Sequence, residues 1–198
     1  MFDRYNKVQQ AVLETTLELI VDKELQAASM SLIAKNSGVS TGNIYHYFSS
    51  KEDIVNELYK AIVLFNGEFV TRDLREGDSI QTRFRLAWKN VIALGKKYPN
   101  GFRFIEQYSF SPYIYEQSKL EAYKGGWCGR VAKLYGEAIE QGLFIGMEPR
   151  FMVQMHYGSI VYILKGHAQH YMELTEDLED EAILACWNSV SKEKGWNE

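Results

Sequence analysis

The stretch SMSLIAKNSGVSTGNIYHYFSSKE, residues 29–52, decides the fold of this chain. Its first half predicts a short helix over 30–37. Ser29 supplies the N-cap oxygen, and Ile33 with Ala34 the buried side. Gly38 is placed to leave that helix in a left-handed conformation, and Val39 to drop into the core of the turn. Ser40 then caps a second short helix over 41–47. Ile44 and Phe48, four apart, face inward and anchor it. Thr41 with Tyr45, and Gly42 with His46, share the opposite side, and Asn43 lies near the exposed N-terminal end. Two helices joined by a tight glycine turn make a helix-turn-helix. The second helix offers hydroxyls, an amide, an imidazole and a bare glycine backbone, groups suited to phosphates and base edges in a major groove.

The charge pattern agrees. The chain has 198 residues and a net charge of −4, with 22 Lys+Arg against 26 Asp+Glu. That balance argues against coating nucleic acid indiscriminately. Yet no acidic residue falls between Glu24 and Glu52, where Lys35, Lys51 and His46 stand. The window has a formal charge of +2, which leaves −6 for the remainder. Ser50-Lys51-Glu52-Asp53 reads as a capping box opening a long helix. Lys51 in its first turn suits a bound anion such as a DNA phosphate, or is simply an exposed surface lysine.

Outward from this stretch the chain reads as all-α. Its three prolines, at 99, 112 and 149, fall where helices begin or end. Val8, Val12, Leu13, Leu17 and Ile20 line a first helix. Ile54, Leu58, Ile62, Phe65 and Phe69 line the long one that follows residue 50. Ile80, Phe84, Trp88, Val91 and Tyr98 mark another, after a polar connection over 73–79. Leu120, Trp127, Val131, Leu134 and Ala138 predict a single helix over about 119–141. In 151–164, ten of fourteen residues are apolar and keep to no single stripe. Such a helix must be covered on more than one side, either as the central helix of a larger core or with a partner subunit on one face.

Composition narrows the class. With 46% hydrophobic and 24% charged residues, the chain suits a folded globular protein. It has no apolar run long enough to span a bilayer and no signal-peptide pattern. Two cysteines, Cys128 and Cys186, give no disulfide framework and no metal-ligand spacing. A cytoplasmic protein with reduced thiols is expected, without a cofactor, a metal or a membrane partner.

Residues from about 8 to 62 resemble the DNA-binding domain of the tetracycline-repressor (TetR) family of bacterial regulators. The resemblance is carried by Ile33-Ala34-Lys35-Asn36-Ser37-Gly38-Val39-Ser40, by Gly42-Asn43-Ile44-Tyr45-His46-Tyr47-Phe48 and by Lys51-Glu52. The family often has glycine where Glu24 stands, an aromatic at Leu25 and a basic residue at Thr41, and an acidic one where Leu32 stands. The resemblance implies three N-terminal helices over 1–50, then a larger helical ligand-binding and dimerisation domain over 51–198 with 51–72 as the linking helix. It implies a homodimer on double-stranded DNA. The expected DNA-binding residues are Thr41, Gly42 and Asn43 at base edges and Ser40, Tyr45, Tyr47 and Lys51 on phosphates. Ser29 is a further candidate for a phosphate, and His46 for either role.

Small regulators of this kind usually keep a ligand cavity near the aromatic-rich segment 98–115. Its expected walls are Phe65, Phe69, Phe84, Trp88, Phe104, Tyr108 and Tyr113, closed by Trp127 and Tyr135. Glu106 is either a counter-charge there or an exposed helix carboxylate. Core packing alone explains some of these aromatics. The expected dimer helices are about 119–141 and 150–172, with Gly158, Ser159, Tyr162, Ile163 and Gly166 at the contact. His167 and His170 share a face, with His156 further back and no evident third or fourth ligand, so a surface or interface place is expected for these histidines. Gly125-Gly126-Trp127-Cys128-Gly129 lacks the strand and the Lys-Ser/Thr ending of a phosphate loop. Two readings follow: a repressor released by a small apolar or amphipathic effector, or a DNA-binding adaptor of the same fold without an inducer. For an enzyme, no catalytic group stands out.

Overall fold

The computed structural model describes residues 1–196. Ten α-helices run through them: α1 Lys7–Ala27, α2 Met30–Ser37, α3 Thr41–Tyr47, α4 Lys51–Thr71, α5 Ile80–Lys97, α6 Pro99–Tyr108, α7 Glu116–Gly125, α8 Trp127–Glu140, α9 Pro149–Ala168 and α10 Glu176–Val190. The one extended pairing among the described residues is an isolated bridge between Phe144 and Ser191. The chain packs as two compact units. The first comprises Met1–Phe65 and Tyr98–Gly125, and the second Asn66–Lys97 with the described residues from Gly126 on. The division falls inside α4.

In the first unit, Asn6 opens α1 by accepting from the amides of Val8 and Gln9, both at 3.0 Å, and Gln9 reaches back to the Asn6 amide. That reciprocal box satisfies donors a helix start leaves free. Val12, Leu13, Leu17 and Ile20 turn inward against Ile33, Ile44, Phe48, Ile54, Leu58 and Ile62 in one apolar cluster. At Glu24 the backbone leaves helical geometry, with φ 65 and ψ 162. Here the family often carries glycine, and a residue with a Cβ is strained there. α6 and α7 belong to this unit. Phe104, Tyr108, Ile114 and Ala122 join its core. Gly101 lies so close to Met1 that a Cβ would sit 3.0 Å from the methionine Cε.

The second unit contains α5, α8, α9 and α10. Phe84, Ala87, Trp88 and Val91 of α5 are buried with Val131, Leu134, Tyr135 and Ala138 of α8 and Ile183 and Trp187 of α10. Gly95 admits Leu164 of α9, whose Cδ1 would lie 2.8 Å from an added Cβ. Ion pairs fasten the rim of α5 to α10: Arg85 and Lys89 to Asp180, both at 2.9 Å, and Lys96 to Glu179 at 2.6 Å. The expected single helix over 119–141 is two. Gly126, extended at φ −70 and ψ 157, separates α7 from α8 and puts Leu120 on a different helix from Trp127. Consecutive glycines favour the break because each lowers helix propensity by about 1 kcal/mol.

Candidate nucleic-acid interface

The side chains of α3 divide as its sequence demands. Ile44 is fully buried and Phe48 is 2% exposed, while Tyr45 is 52% and Tyr47 38% exposed. Thr41, Gly42, Asn43 and His46 are exposed with them. Ser40 Oγ accepts from the Asn43 amide at 3.3 Å and fixes the first turn. Ser29 Oγ does the same for Leu32 in α2, and shares a bond with Ser31 Oγ. Gly38, at φ 69, makes the left-handed exit between the two helices. The His46 and Tyr47 rings meet edge to face at 4.8 Å.

At the start of α4, Ser50 Oγ accepts from the Asp53 amide at 3.1 Å, but the Asp53 carboxylate accepts from the Ser49 amide at 2.8 Å instead of that of Ser50. The reciprocal half of the box therefore falls one residue upstream of the expected place. Lys51 is half-buried, and its Nζ donates to the Leu25 carbonyl at 3.3 Å. Lys35 and Asn36 are exposed at the end of α2. They lie in the same acid-free window, the signal that could have added them to the expected contacts.

The expected cavity walls fall into both units. Phe65, Phe104, Glu106, Tyr108 and Tyr113 belong to the first, and Phe69, Phe84, Trp88, Trp127 and Tyr135 to the second. Phe65 meets Tyr98 edge to face at 4.8 Å, and the Phe104 and Tyr108 rings lie tilted at 37° with centroids 5.2 Å apart. The Arg72 guanidinium stands 4.1 Å over the Phe69 ring. Phe84, Trp88 and Tyr135 are wholly buried and pack against one another.

The centre of that second cluster is His156, which is buried and not at the surface or an interface as expected. The Trp88 indole N–H donates to Tyr135 Oη at 2.9 Å, and Tyr135 Oη lies 2.6 Å from His156 Nδ1. His156 Nε2 is 2.8 Å from Ser189 Oγ, which donates to the Cys186 carbonyl at 2.7 Å. Every donor and acceptor in this row is matched if Nδ1 accepts from the tyrosine and Nε2–H donates to the serine. Burial lowers the His156 pKa to about 4, so the imidazole is neutral. The available signal was a histidine inside the apolar run 151–164.

α9 is two-faced. Met152, Val153, His156, Ile160, Val161 and Leu164 are buried. On the other side Phe151 is 55%, Met155 45% and Tyr162 81% exposed, with Gly158 and Ser159 between them. Ile163 is half-buried. Gly166 is too, with Met172 of its own chain 3.6 Å from a built Cβ. Among the described residues, no group of three or more His, Cys, Asp or Glu could hold a metal ion, and no helix is long and apolar enough to cross a membrane.

Two family models match. Residues 12–58 fit the bacterial regulatory proteins of the TetR family, and residues 79–191 fit a tetracyclin repressor-like C-terminal domain. The chain belongs to the TetR family of transcriptional regulators. Over 154 residues it is 26% identical to the fatty acid metabolism regulator protein of Bacillus subtilis, covering 75% of this chain and 77% of that one. A shorter match, 39% identical over 64 residues and 32% of each chain, is to the transcriptional regulator BetI of Vibrio parahaemolyticus. A TetR-family regulator from Marinobacter aquaeolei shares the fold at a TM-score of 0.86, with 19% identity over 98% of this chain and 100% of that one. The regulator FadR of Bacillus subtilis, solved with stearoyl-CoA, gives a TM-score of 0.74 at 22% identity, over 89% of this chain and 96% of that one.

Proposed function

We propose that this regulator is a cytoplasmic homodimeric repressor that binds a pseudo-palindromic operator and is released by a small amphipathic effector. In this reading residues 1–50 form the DNA-binding module, and 51–198 the effector and dimerisation part. Residues 197 and 198 lie outside the described ones. The observation that carries DNA binding is the division of α3, with Ile44 and Phe48 held inside and Thr41, Gly42, Asn43, Tyr45, His46 and Tyr47 outside. Because the exposed side lies in a stretch without carboxylates, it meets phosphates without like-charge repulsion.

The test is selection of genomic fragments on the purified protein at physiological salt, followed by footprinting. A protected inverted repeat supports the reading, and binding without sequence preference overturns it. For the effector, the likeness to the fatty acid metabolism regulator and to FadR with stearoyl-CoA supports a long-chain acyl thioester as the first compound to titrate. A tenfold loss of operator affinity requires a differential affinity of about 1.4 kcal/mol between the two conformations. The mutual packing of Phe84, Trp88 and Tyr135 favours the second reading, an adaptor without an inducer. Operator binding unchanged by acyl thioesters and by a broad lipophilic library would support that alternative.

A further inference from the structure

We propose that Asn56 and Tyr108 are positioning residues for operator binding: Tyr108 holds segment 108–115 to the kinked end of α1, Asn56 holds it to the start of α4, and together they form a clamp that sets where α2 and α3 stand. The inference rests on the DNA-binding reading above.

Leu25 follows the strained Glu24 and is 3% exposed. Both its backbone groups are held by side chains from distant segments. Its N–H donates to Tyr108 Oη at 3.3 Å, and its carbonyl accepts from Lys51 Nζ at 3.3 Å. One residue on, Gln26 Nε2 donates to Tyr113 Oη at 2.9 Å. Asn56, buried on the second turn of α4, ties the same segment from the other side. Its Nδ2 donates to the Glu52 carbonyl at 2.8 Å and to the Tyr113 carbonyl at 3.1 Å, and its Oδ1 accepts from the Tyr115 amide at 2.7 Å. An amide has two donor hydrogens and one oxygen, and all three are engaged.

Leu25, Val55 and Tyr108 pack into the apolar cluster on one side of this corner, and the other side is open. A cleft of about 40 Å³ lies between Leu25, Gln26, Lys51, Glu52, Val55 and Tyr113. Water can enter there, so on that side the hydrogen bonds, rather than side-chain packing, set the distance between the segments. Ala28 closes α1 three residues after Leu25 and Ser29 caps α2 directly after it, so a shift of Leu25 shifts the helix-turn-helix. Asn56 and Tyr108 are both buried, whereas the DNA-facing side of α3 is exposed. Their effect on affinity must then run through position.

The experiment uses the full chain and an operator recovered by selection. Tyr108→Phe and Asn56→Leu are compared with Ile62→Val, a core substitution that leaves the clamp intact. The readouts are Kd per active dimer, calibrated by stoichiometric titration, its salt slope, and the amide resonance of Gly42 on α3. Each clamp variant is expected to weaken binding about tenfold, because the helix-turn-helix is no longer held in its binding position before it meets the operator. The salt slope should stay unchanged, because no phosphate contact is lost, and the Gly42 resonance should move. Ile62→Val should leave both Kd and the resonance in place. Should Asn56→Leu fail to fold, Tyr108→Phe, which keeps the ring, decides. Unchanged Kd and an unmoved Gly42 resonance in the clamp variants overturn the inference alone. An unsubstituted chain that binds no operator overturns the DNA-binding reading and this inference with it.

Discussion

Glu24 holds φ 65 and ψ 162 near the end of α1, a region that suits glycine and costs other residues about 1–3 kcal/mol. Glu24→Gly relieves that strain, though it also loosens the unfolded chain by up to about 1 kcal/mol. A net gain of about 1 kcal/mol is expected, read as a higher urea midpoint with an unchanged slope at fixed protein concentration. The family pattern made the departure visible in the sequence, but the backbone response, a strained glutamate at the same turn, was not. His156 sets a second test. Its pKa falls from 6.5 to about 4 because burial disfavours the charged ring. The unfolded chain therefore binds the extra proton between those values. The contribution is fully present above pH 6.5 and is lost as the pH falls toward 4. Its upper bound is about 3 kcal/mol. His156→Leu should lower stability at neutral pH and flatten its fall between pH 6.5 and 4, measured by urea unfolding. An equally steep fall in the variant would place the titrating group elsewhere.

α2 and α3 show why their part of the fold was legible. With eight and seven residues, they are too short to persist alone. Their ends must be written into the sequence, by Ser29, Gly38 and Ser40, and their inner side by Ile33, Ile44 and Phe48. Ser40→Ala should cost about 1 kcal/mol of local stability. Because α3 is so short, that loss should fray its first turn and weaken operator binding more than it lowers the melting temperature. Paired DNA titrations and thermal melts check this. Equal affinity in the variant would mean that burial of Ile44 and Phe48 suffices to order α3. Elsewhere the local signals were weaker. The break between α7 and α8 was hidden because an apolar spacing runs through it. α10 opens on Thr175 and an acidic first turn, with Glu176, Asp177 and Glu179. Its buried residues, Ile183, Cys186, Trp187 and Val190, come only in its second half, so the segment drew no expectation from periodicity.

At the scale of the whole molecule, periodicity tells which face of a helix is buried, but not against what. Nothing in the spacing of 98–125 says that it packs with Met1–Phe65, or that Tyr108 meets the end of α1. The same limit left two readings of 151–164, a central helix or one shared with a partner. The buried side of α9 lies within its own unit, and among the described residues the stripe of Phe151, Met155 and Tyr162 is exposed. The mixed apolar character thus has one face explained by the core and one that a second copy would cover. A two-fold pair across α9 presents the same stripe from both protomers. To be stable it must bury about 1,200–2,000 Å², so neighbouring surface of the second unit must contribute as well. Two recognition helices related by that axis would then read an inverted repeat. The double variant Phe151→Glu, Tyr162→Glu places like charges across the axis at sites exposed in the single chain. Helicity and the fold of each protomer should persist, because neither side chain is part of the buried core. Sedimentation should give half the mass of the unsubstituted dimer, and binding to the inverted repeat should vanish at concentrations that saturate the parent. A variant that sediments with the unsubstituted chain as a dimer would move the interface away from α9.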